Sequence, residues 1–263
     1  MLIDTHAHLY LEQFKEDIDE TLERAKQEGV SEYYLPNIDS SSIESMLLLE
    51  KNYPDRCHPM MGLHPCSVNA DYKTELEIVE QWLSKRPFCA IGEIGIDLYW
   101  DKTFFEEQKK AFITQVGWAK ELNIPIVIHA RDSLDILIDL VKKEKDERLQ
   151  GIFHCFTGTP EQAKQIIDLE FYMGIGGVLT YKNSGLDKAV EQIPLEWLVL
   201  ETDSPYLTPV PYRGKRNESS YLKYVATKLS EVKKVDIEQI ALSTTASAKK
   251  IFAKNSLTYT TVC

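Results

Sequence analysis

Short apolar runs recur along the chain and alternate with longer segments in which apolar residues have helical spacing. The apolar runs are MLID, SEYYLPNI, HPMMGLHP, FCAIGEIG, IPIVIHA, GIFHCF, FYMGIGG and EWLVLETD. Between the runs, helical spacing is shown by Phe14, Ile18, Leu22 and Ala25, and again by Phe112, Val116, Ala119 and Leu122. The pattern predicts eight strands with helices between them.

This order of elements predicts an α/β fold in the form of a (β/α)8 TIM barrel. Eight parallel strands, each followed by a helix, take up roughly 250 residues, and the chain has 263. The main alternative is a doubly wound open sheet. Because no repeat of fixed period or Gly/Ser linker divides the chain, residues 1–263 are expected to form a single domain. Its last segment, SLTYTTVC, is expected to be a loosely held tail.

Composition limits the classes of function. The hydrophobic fraction of 43% and the charged fraction of 27% are typical of a soluble globular protein. A net charge of −11 argues against a broad basic surface, so contact with nucleic acid would need a local cationic patch or bound metal. The five cysteines include no Cys-x-x-Cys pair, and no apolar run approaches the ~18 residues of a membrane span. A cytoplasmic protein without membrane contact or an obligate protein partner is expected.

Histidines and carboxylates follow the predicted strands at their C-terminal ends, where barrel enzymes carry their active sites. His6 and His8 follow the first strand, and their spacing lets both rings point to one side and chelate one ion. His58 lies at the opposite end of the third strand and is interpreted as structural. The C-terminal ends of strands three, four, five, six and eight carry His64, Glu93, His129, His154 and Asp203.

Four imidazoles and two carboxylates exceed what one tetrahedral metal ion uses. They suit two divalent ions that share a bridging carboxylate and a water, and such centres catalyse hydrolysis. Zinc, magnesium and manganese are all compatible with these ligands. His64 could be a metal ligand, but a role in orienting a ligand or binding substrate is preferred because Pro65 restricts its backbone. Glu201 is expected to orient a ligand, and Cys155 to pack as a small apolar group.

Seven motifs occur in order between residues 2 and 218: IDTHAHL, GLHP, AIGEIGIDLYWD, PIVIHAR, GIFHCFTG, LVLETDSPYL and RGKRNE. Together they resemble the TatD-type metal-dependent deoxyribonucleases, a branch of the amidohydrolase-like barrels. Two positions depart from the family pattern, since Ser219 stands where proline is usual and Ser247 where asparagine is frequent. The resemblance implies that one metal ion is held by His6, His8, Glu93 and Asp203, and a second by Glu93, His129 and His154.

The leading hypothesis for function is a phosphodiesterase that acts on DNA ends, with Glu93 and Asp203 as catalytic residues. Metal-activated water would attack phosphorus, and Asp203 would take part in the transfer of its proton. The flanking phosphates would be bound by cations near the barrel mouth, for which the candidates are Arg131, Arg213, Lys215 and Arg216.

Two other functions remain as alternatives, a small-molecule amidohydrolase or lactonase and a metal-binding protein without turnover. Many amidohydrolases bridge their metals with a carboxylated lysine on strand four. The segment PFCAIGEIGID contains no lysine and offers Glu93 instead, which favours the phosphodiesterase.

Overall fold

Parallel strands surrounded by helices form the part of the chain that the computed structural model describes, residues 1–253. The predicted tail SLTYTTVC lies outside these residues. The strands are β1 (Leu2–Asp4), β2 (Val30–Leu35), β3 (Cys57–Pro59), β4 (Ile91–Asp97), β5 (Ile126–Arg131), β6 (Gly151–Phe153), β7 (Tyr172–Ile175) and β8 (Leu198–Leu200). Each of the eight apolar runs therefore overlaps a strand, as predicted.

The helices lie between and after these strands. They are α1 (Ile18–Gln27), α2 (Ile43–Asn52), α3 (Tyr72–Lys85), α4 (Phe105–Leu122), α5 (Leu134–Glu144), α6 (Pro160–Asp168), α7 (Leu186–Gln192), α8 (Leu222–Lys233) and α9 (Ile237–Phe252). The helical pattern that begins at Phe14 is confirmed in part. Ile18, Leu22 and Ala25 lie in α1, whereas Phe14 belongs to a separate 3-10 turn before it. Within residues 1–253, no helix is both long enough and apolar enough to cross a membrane.

The strands close into a barrel through two seams. Strands β1 to β3 pair in order, and so do β4 to β8, all in parallel. A backbone bridge between Met61 and Ile91 joins the first group to the second. The second seam joins β8 to β1, where the Asp203 N–H donates to the His6 carbonyl over 2.9 Å. Closure on both sides confirms the barrel and rejects the open sheet.

An apolar cluster fills one half of the barrel interior. It contains Val127, Ile152 and Val199, each at most 1% exposed, and Phe252 at the end of α9 packs against the same cluster. Because alternate residues of a strand point to the same side, a strand that buries Val127 inside the barrel directs His129 inward too. The candidate site therefore lies above an apolar floor.

His58 lies within β3 on the far side of this floor from the other histidines. Its Nε2 is 3.2 Å from a carboxylate oxygen of Glu32 on β2, and its ring centroid is 4.8 Å from that of Tyr34. These contacts with neighbouring strand residues agree with a structural role.

Candidate metal centre

The Glu93 carboxylate lies at the centre of the candidate site and is 2% exposed. Its Oε2 is 3.0 Å from His6 Nε2 and 3.5 Å from His8 Nε2. Its Oε1 is 2.7 Å from His129 Nδ1 and 2.9 Å from His154 Nε2. Each oxygen of one carboxylate therefore faces a different pair of imidazole nitrogens, which is the arrangement of a carboxylate that can bridge two ions.

Asp203 joins the pair formed by the first-strand histidines. Its Oδ1 is 3.7 Å from His6 Nε2 and 3.6 Å from His8 Nε2. The sequence pattern predicts that Asp203 continues the alternation of β8, but its φ of 57° places it in the left-handed region. Few residues other than glycine adopt that region, and those that do cluster at functional sites. The carboxylate reaches the site through a bend in the chain, not through an extended strand.

Two histidines have their second ring nitrogen fixed by an oxygen. The Tyr10 hydroxyl donates to the Pro36 carbonyl over 2.5 Å, so its oxygen is left to accept from His8 Nδ1 at 2.8 Å. His129 Nε2 lies 2.9 Å from Asp97 Oδ2, which also can only accept when ionised. In each neutral ring the other nitrogen then carries a lone pair and points to the centre of the site.

Glu201, which is predicted to orient a ligand, lies next to the outer nitrogen of His154. Glu201 Oε1 is 3.4 Å from His154 Nδ1 and accepts the Cys155 backbone N–H over 2.6 Å. A side chain at Gly174 would collide with the Glu201 carboxylate, so this buried acid depends on a glycine beside it. Burial raises the pKa of the Cys155 thiol to about 12, which keeps it protonated and unreactive at neutral pH.

His64 differs from these histidines in the position of its ring proton. Its Nδ1 accepts the backbone N–H of Cys66 over 3.0 Å, so the proton of the neutral ring is on Nε2. That Nε2 is 3.4 Å from Glu93 Oε1. His64 therefore presents an N–H to the site where the other rings present a lone pair, which suits a hydrogen-bond donor to substrate better than a metal ligand.

Burial and the neighbouring charges set the protonation of the site. Burial alone would raise the pKa of Glu93, but the imidazoles of His154, His64 and His6 lower it well below its usual value. Burial lowers the pKa of His6 well below its usual range and raises that of Asp203 to about 6. An ionised Glu93 and a neutral His6 are the forms that bind metal ions. Burial lowers the pKa of His154, but two neighbouring carboxylates raise it well above its usual value, so this ring must release a proton when an ion binds.

The donor set fits divalent metal ions. Ligand atoms lie within 4.8 Å of one another in three groups, and the groups share members so that they form one continuous site. Imidazole and carboxylate ligands together suit zinc, manganese and magnesium. The groups are His6 with His8 and Asp203, His6 with Glu93 and His154, and His64 with Glu93 and His129.

Sequence reasoning missed Tyr10 and Asp97. Both follow a predicted ligand at short spacing, Tyr10 two residues after His8 and Asp97 four residues after Glu93. Histidines that bind metal usually donate their other N–H to an oxygen. An oxygen-bearing side chain a few residues after a predicted ligand is the signal that could have identified both residues.

Two of the predicted phosphate-binding cations are exposed and stacked on tyrosines. The Arg131 guanidinium carbon is 4.0 Å from the ring centroid of Tyr99, and that of Arg213 is 3.7 Å from the ring centroid of Tyr181. Lys215 is exposed as well, with its Nζ 5.4 Å from the ring centroid of Tyr212. These cations are held by aromatic faces and keep their N–H groups accessible.

Arg216 has a different environment from the one expected of a phosphate contact. Its two terminal nitrogens are each 2.7 Å from an oxygen of Asp17, and its guanidinium lies over the Phe14 ring at 4.5 Å. Arg24 is paired in turn with Glu218 over 2.7 Å. Because its guanidinium is engaged by a bidentate ion pair, Arg216 links the loop after β8 to α1 and is removed from the set of substrate contacts.

Comparison with known proteins identifies the family of the chain. The profile of the TatD-related DNase family matches residues 3–253. The chain is 41% identical over 256 residues to the uncharacterized metal-dependent hydrolase YabD of Bacillus subtilis (strain 168), and the alignment covers 97% of this chain and 100% of YabD. It is 31% identical over 257 residues to the uncharacterized metal-dependent hydrolase YcfH of Escherichia coli (strain K12), with 95% of each chain covered.

A solved structure is similar over nearly the whole chain. The crystal structure of YjjV, a TatD homologue from Escherichia coli K12, matches with a TM-score of 0.90 at 30% sequence identity. The match covers 96% of this chain and 98% of that one. The protein therefore belongs to the family of TatD-related DNases and is a metal-dependent hydrolase.

Proposed function

We propose that the protein is a phosphodiesterase that hydrolyses DNA from its ends and uses two divalent ions. The observation that carries the proposal is the two-sided environment of Glu93, whose oxygens face separate pairs of imidazole nitrogens. Two ions bridged in this way suit an in-line displacement at phosphorus, because both the attacking and the leaving oxygen need stabilisation. Zinc, magnesium and manganese all match the donors.

Bound ions would lower the pKa of water and polarise the phosphoryl oxygens. The chain's own groups handle the proton and the substrate. Asp203, whose Oδ1 lies beside the His6 and His8 nitrogens, would accept a proton from the attacking water and return it to the leaving oxygen. As the bond from phosphorus to the water oxygen forms, the bond to the leaving oxygen breaks. The His64 Nε2–H is placed to donate to a non-bridging oxygen.

The exposed cations support a polyanionic substrate. Arg131 ends β5, two residues after His129, and Arg213 lies in the loop after β8 that begins beyond Asp203. In a chain of net charge −11, these exposed side chains supply a few positive charges on segments that follow strands of the candidate site. Such a patch is small, so it suits binding of a strand end and not a grip along a duplex.

The alternative is hydrolysis of a small amide or lactone by the same donors. Glu93 disfavours this alternative, because the acid lies on β4 at the position where many amidohydrolases have a carboxylated lysine. The cations at the mouth also have no role with a small uncharged substrate.

Parallel assays on one preparation test the proposed function. We expect a chelator-sensitive cleavage of linear single-stranded DNA and of a model phosphodiester, faster than that of a lactone or an amide of similar size. A circular single strand of the same sequence is the matched control, and it should resist an enzyme that needs an end. Lactone or amide hydrolysis without phosphodiester cleavage would instead support the alternative, and metal binding with no turnover would support a protein that has lost catalysis.

A further inference from the structure

The turn after β4 exposes two aromatic side chains beside the candidate site. Tyr99 and Trp100 are 54% and 71% exposed, and their ring centroids are 4.9 Å apart in an edge-to-face arrangement. The guanidinium carbon of Arg131 is 4.0 Å from the Tyr99 centroid and 5.7 Å from the Trp100 centroid. One small surface therefore combines accessible aromatic rings with a permanent positive charge.

This surface has a fixed position relative to the metal ligands. Asp97, 2% exposed, accepts the backbone N–H groups of Tyr99 and Trp100 on Oδ1 over 2.9 and 3.2 Å. Its Oδ2 is 2.9 Å from His129 Nε2. One buried carboxylate thus holds both the aromatic turn and a candidate ligand. An ordinary solvated loop has no such connection to a site.

We propose that Tyr99, Trp100 and Arg131 form a stacking subsite for the unpaired base of a single-stranded DNA end, with Arg131 on the adjoining phosphate. This inference rests on the proposed function, and it specifies which part of the substrate this surface binds. A nucleotide places a flat aromatic ring next to a phosphate, which is complementary to exposed rings next to a guanidinium. Stacking on aromatic side chains tolerates any base sequence.

The subsite selects for unpaired ends. In a duplex each base is already stacked between its neighbours, and taking it out of the stack costs free energy. A frayed or single-stranded end has no such cost. The terminal base would then rest on Trp100 while its phosphate lies between Arg131 and the site.

Binding of matched strands to the full-length protein in the presence of Mg²⁺ tests the subsite. The strands are short phosphorothioate DNAs that resist hydrolysis, labelled internally for fluorescence anisotropy, with terminal nucleotides that either carry a base or are abasic. We expect the wild-type protein to bind the strand with bases roughly five- to 150-fold more tightly, the factor that stacking of one base gives. In Trp100→Ala most of that factor should be lost.

Two further variants separate stacking from a general disturbance. Trp100→Phe keeps an aromatic face and should retain most of the preference for the terminal base. Leu242→Ala removes a side chain that is 73% exposed on α9 and should leave the preference at its wild-type value. An equal preference in Trp100→Ala and the wild type, or none in the wild type, overturns the subsite.

Hydrolysis of the unmodified strand, measured separately, distinguishes this failure from a failure of the proposed function. Cleavage of DNA without a preference for the terminal base rejects the subsite alone. A preference that depends on Trp100, without cleavage, rejects the proposed phosphodiesterase and leaves the subsite standing. Absence of both rejects both.

Discussion

At the scale of single residues, the position of the ring proton distinguishes histidines that can bind metal from the histidine that can donate a hydrogen bond to substrate. Tyr10, Asp97 and Glu201 each present an oxygen to the outer nitrogen of a site histidine. The Cys66 backbone presents an N–H to His64. The same residue type therefore serves two purposes in one site, and its partner determines which.

Removal of the Tyr10 hydroxyl should weaken metal binding. In Tyr10→Phe the His8 ring loses the oxygen that holds its proton on Nδ1, so the ring is no longer fixed with Nε2 toward the site. We expect metal affinity to fall about 10- to 100-fold, as for other losses of a group that orients a ligand. Competition titration with a chromogenic chelator measures it. Tyr53→Phe, which removes a hydroxyl bound to Asp19 on α1, is the control and should keep full affinity.

Neutralising Glu93 should lower the metal content of the site. Glu93→Gln leaves one uncharged amide oxygen in place of two anionic ones, so the side chain can no longer bridge. Metal content should fall from about two ions per chain to one or none, with loss of turnover. Elemental analysis of dialysed protein gives the content. The exposed Glu80→Gln on α3 makes the same chemical change elsewhere and should alter neither. Two ions and a near-normal rate in Glu93→Gln would disprove the bridge.

At the scale of elements, the seam between β1 and β8 holds the first ligand pair together. Asp4 is fully buried at the end of β1 and accepts the Thr202 N–H over 2.9 Å, the Thr202 hydroxyl over 2.6 Å and the Ser219 hydroxyl over 2.7 Å. These bonds join β1 to the chain after β8 next to His6 and Asp203. Ser219, a departure from the family pattern, has a role here because proline could not donate this bond.

Breaking the seam should cost stability in proportion to the buried groups left without a partner. Asp4→Ala removes the acceptor of these three donors and of the His6 backbone N–H, which is 3.4 Å from Oδ1, and we expect the free energy of unfolding to fall by about 3 kcal/mol or more. Ser219→Ala removes one donor and should cost about 1 kcal/mol. Denaturant titration measures both, and the exposed Ser184→Ala, which removes hydrogen bonds within one surface turn, should cost less than either. An equal loss of free energy of unfolding in Ser219→Ala and Asp4→Ala would contradict the ranking expected from their hydrogen bonds.

At the scale of the whole molecule, exposed cations lie near the candidate site of a chain that is negatively charged. The net charge is −11, yet Arg131, Arg213 and Lys215 are exposed near the barrel mouth. Arg216, in the same loop, has its charge balanced by Asp17. The loop therefore contains cations in two environments, exposed side chains that we propose as phosphate contacts and one side chain that ties the loop to α1.

Salt titrations should separate these tasks. Each phosphate contact on a single strand contributes about 0.7 to the slope of log affinity against log salt, because counterions are released. Arg213→Ala should lower the slope by about 0.7, whereas Arg216→Ala should leave it unchanged and lower stability through loss of the Asp17 pair. Anisotropy with one short single-stranded DNA gives the slopes. An unchanged slope for Arg213→Ala would remove this residue from the proposed DNA contacts.

The sequence by itself determined the order of elements and the main donors. Periodicity of apolar residues located the eight strands, because burial of alternate side chains inside a barrel leaves a regular trace in the chain. Polar residues that interrupt such apolar runs at strand ends, such as Glu93 and His129, stand out for the same reason. These features are local, so one sequence contains them in full.

Only the tertiary structure decided which atoms face each other. The two-sided position of Glu93, the ring proton of His64 and the capture of Arg216 by Asp17 depend on contacts between residues far apart in the chain. The bend at Asp203 lies at the seam with β1, where the Asp203 N–H donates to the His6 carbonyl. Periodicity carries no signal for such contacts, because they are fixed when the strands pair and close the barrel, and distant side chains meet only then.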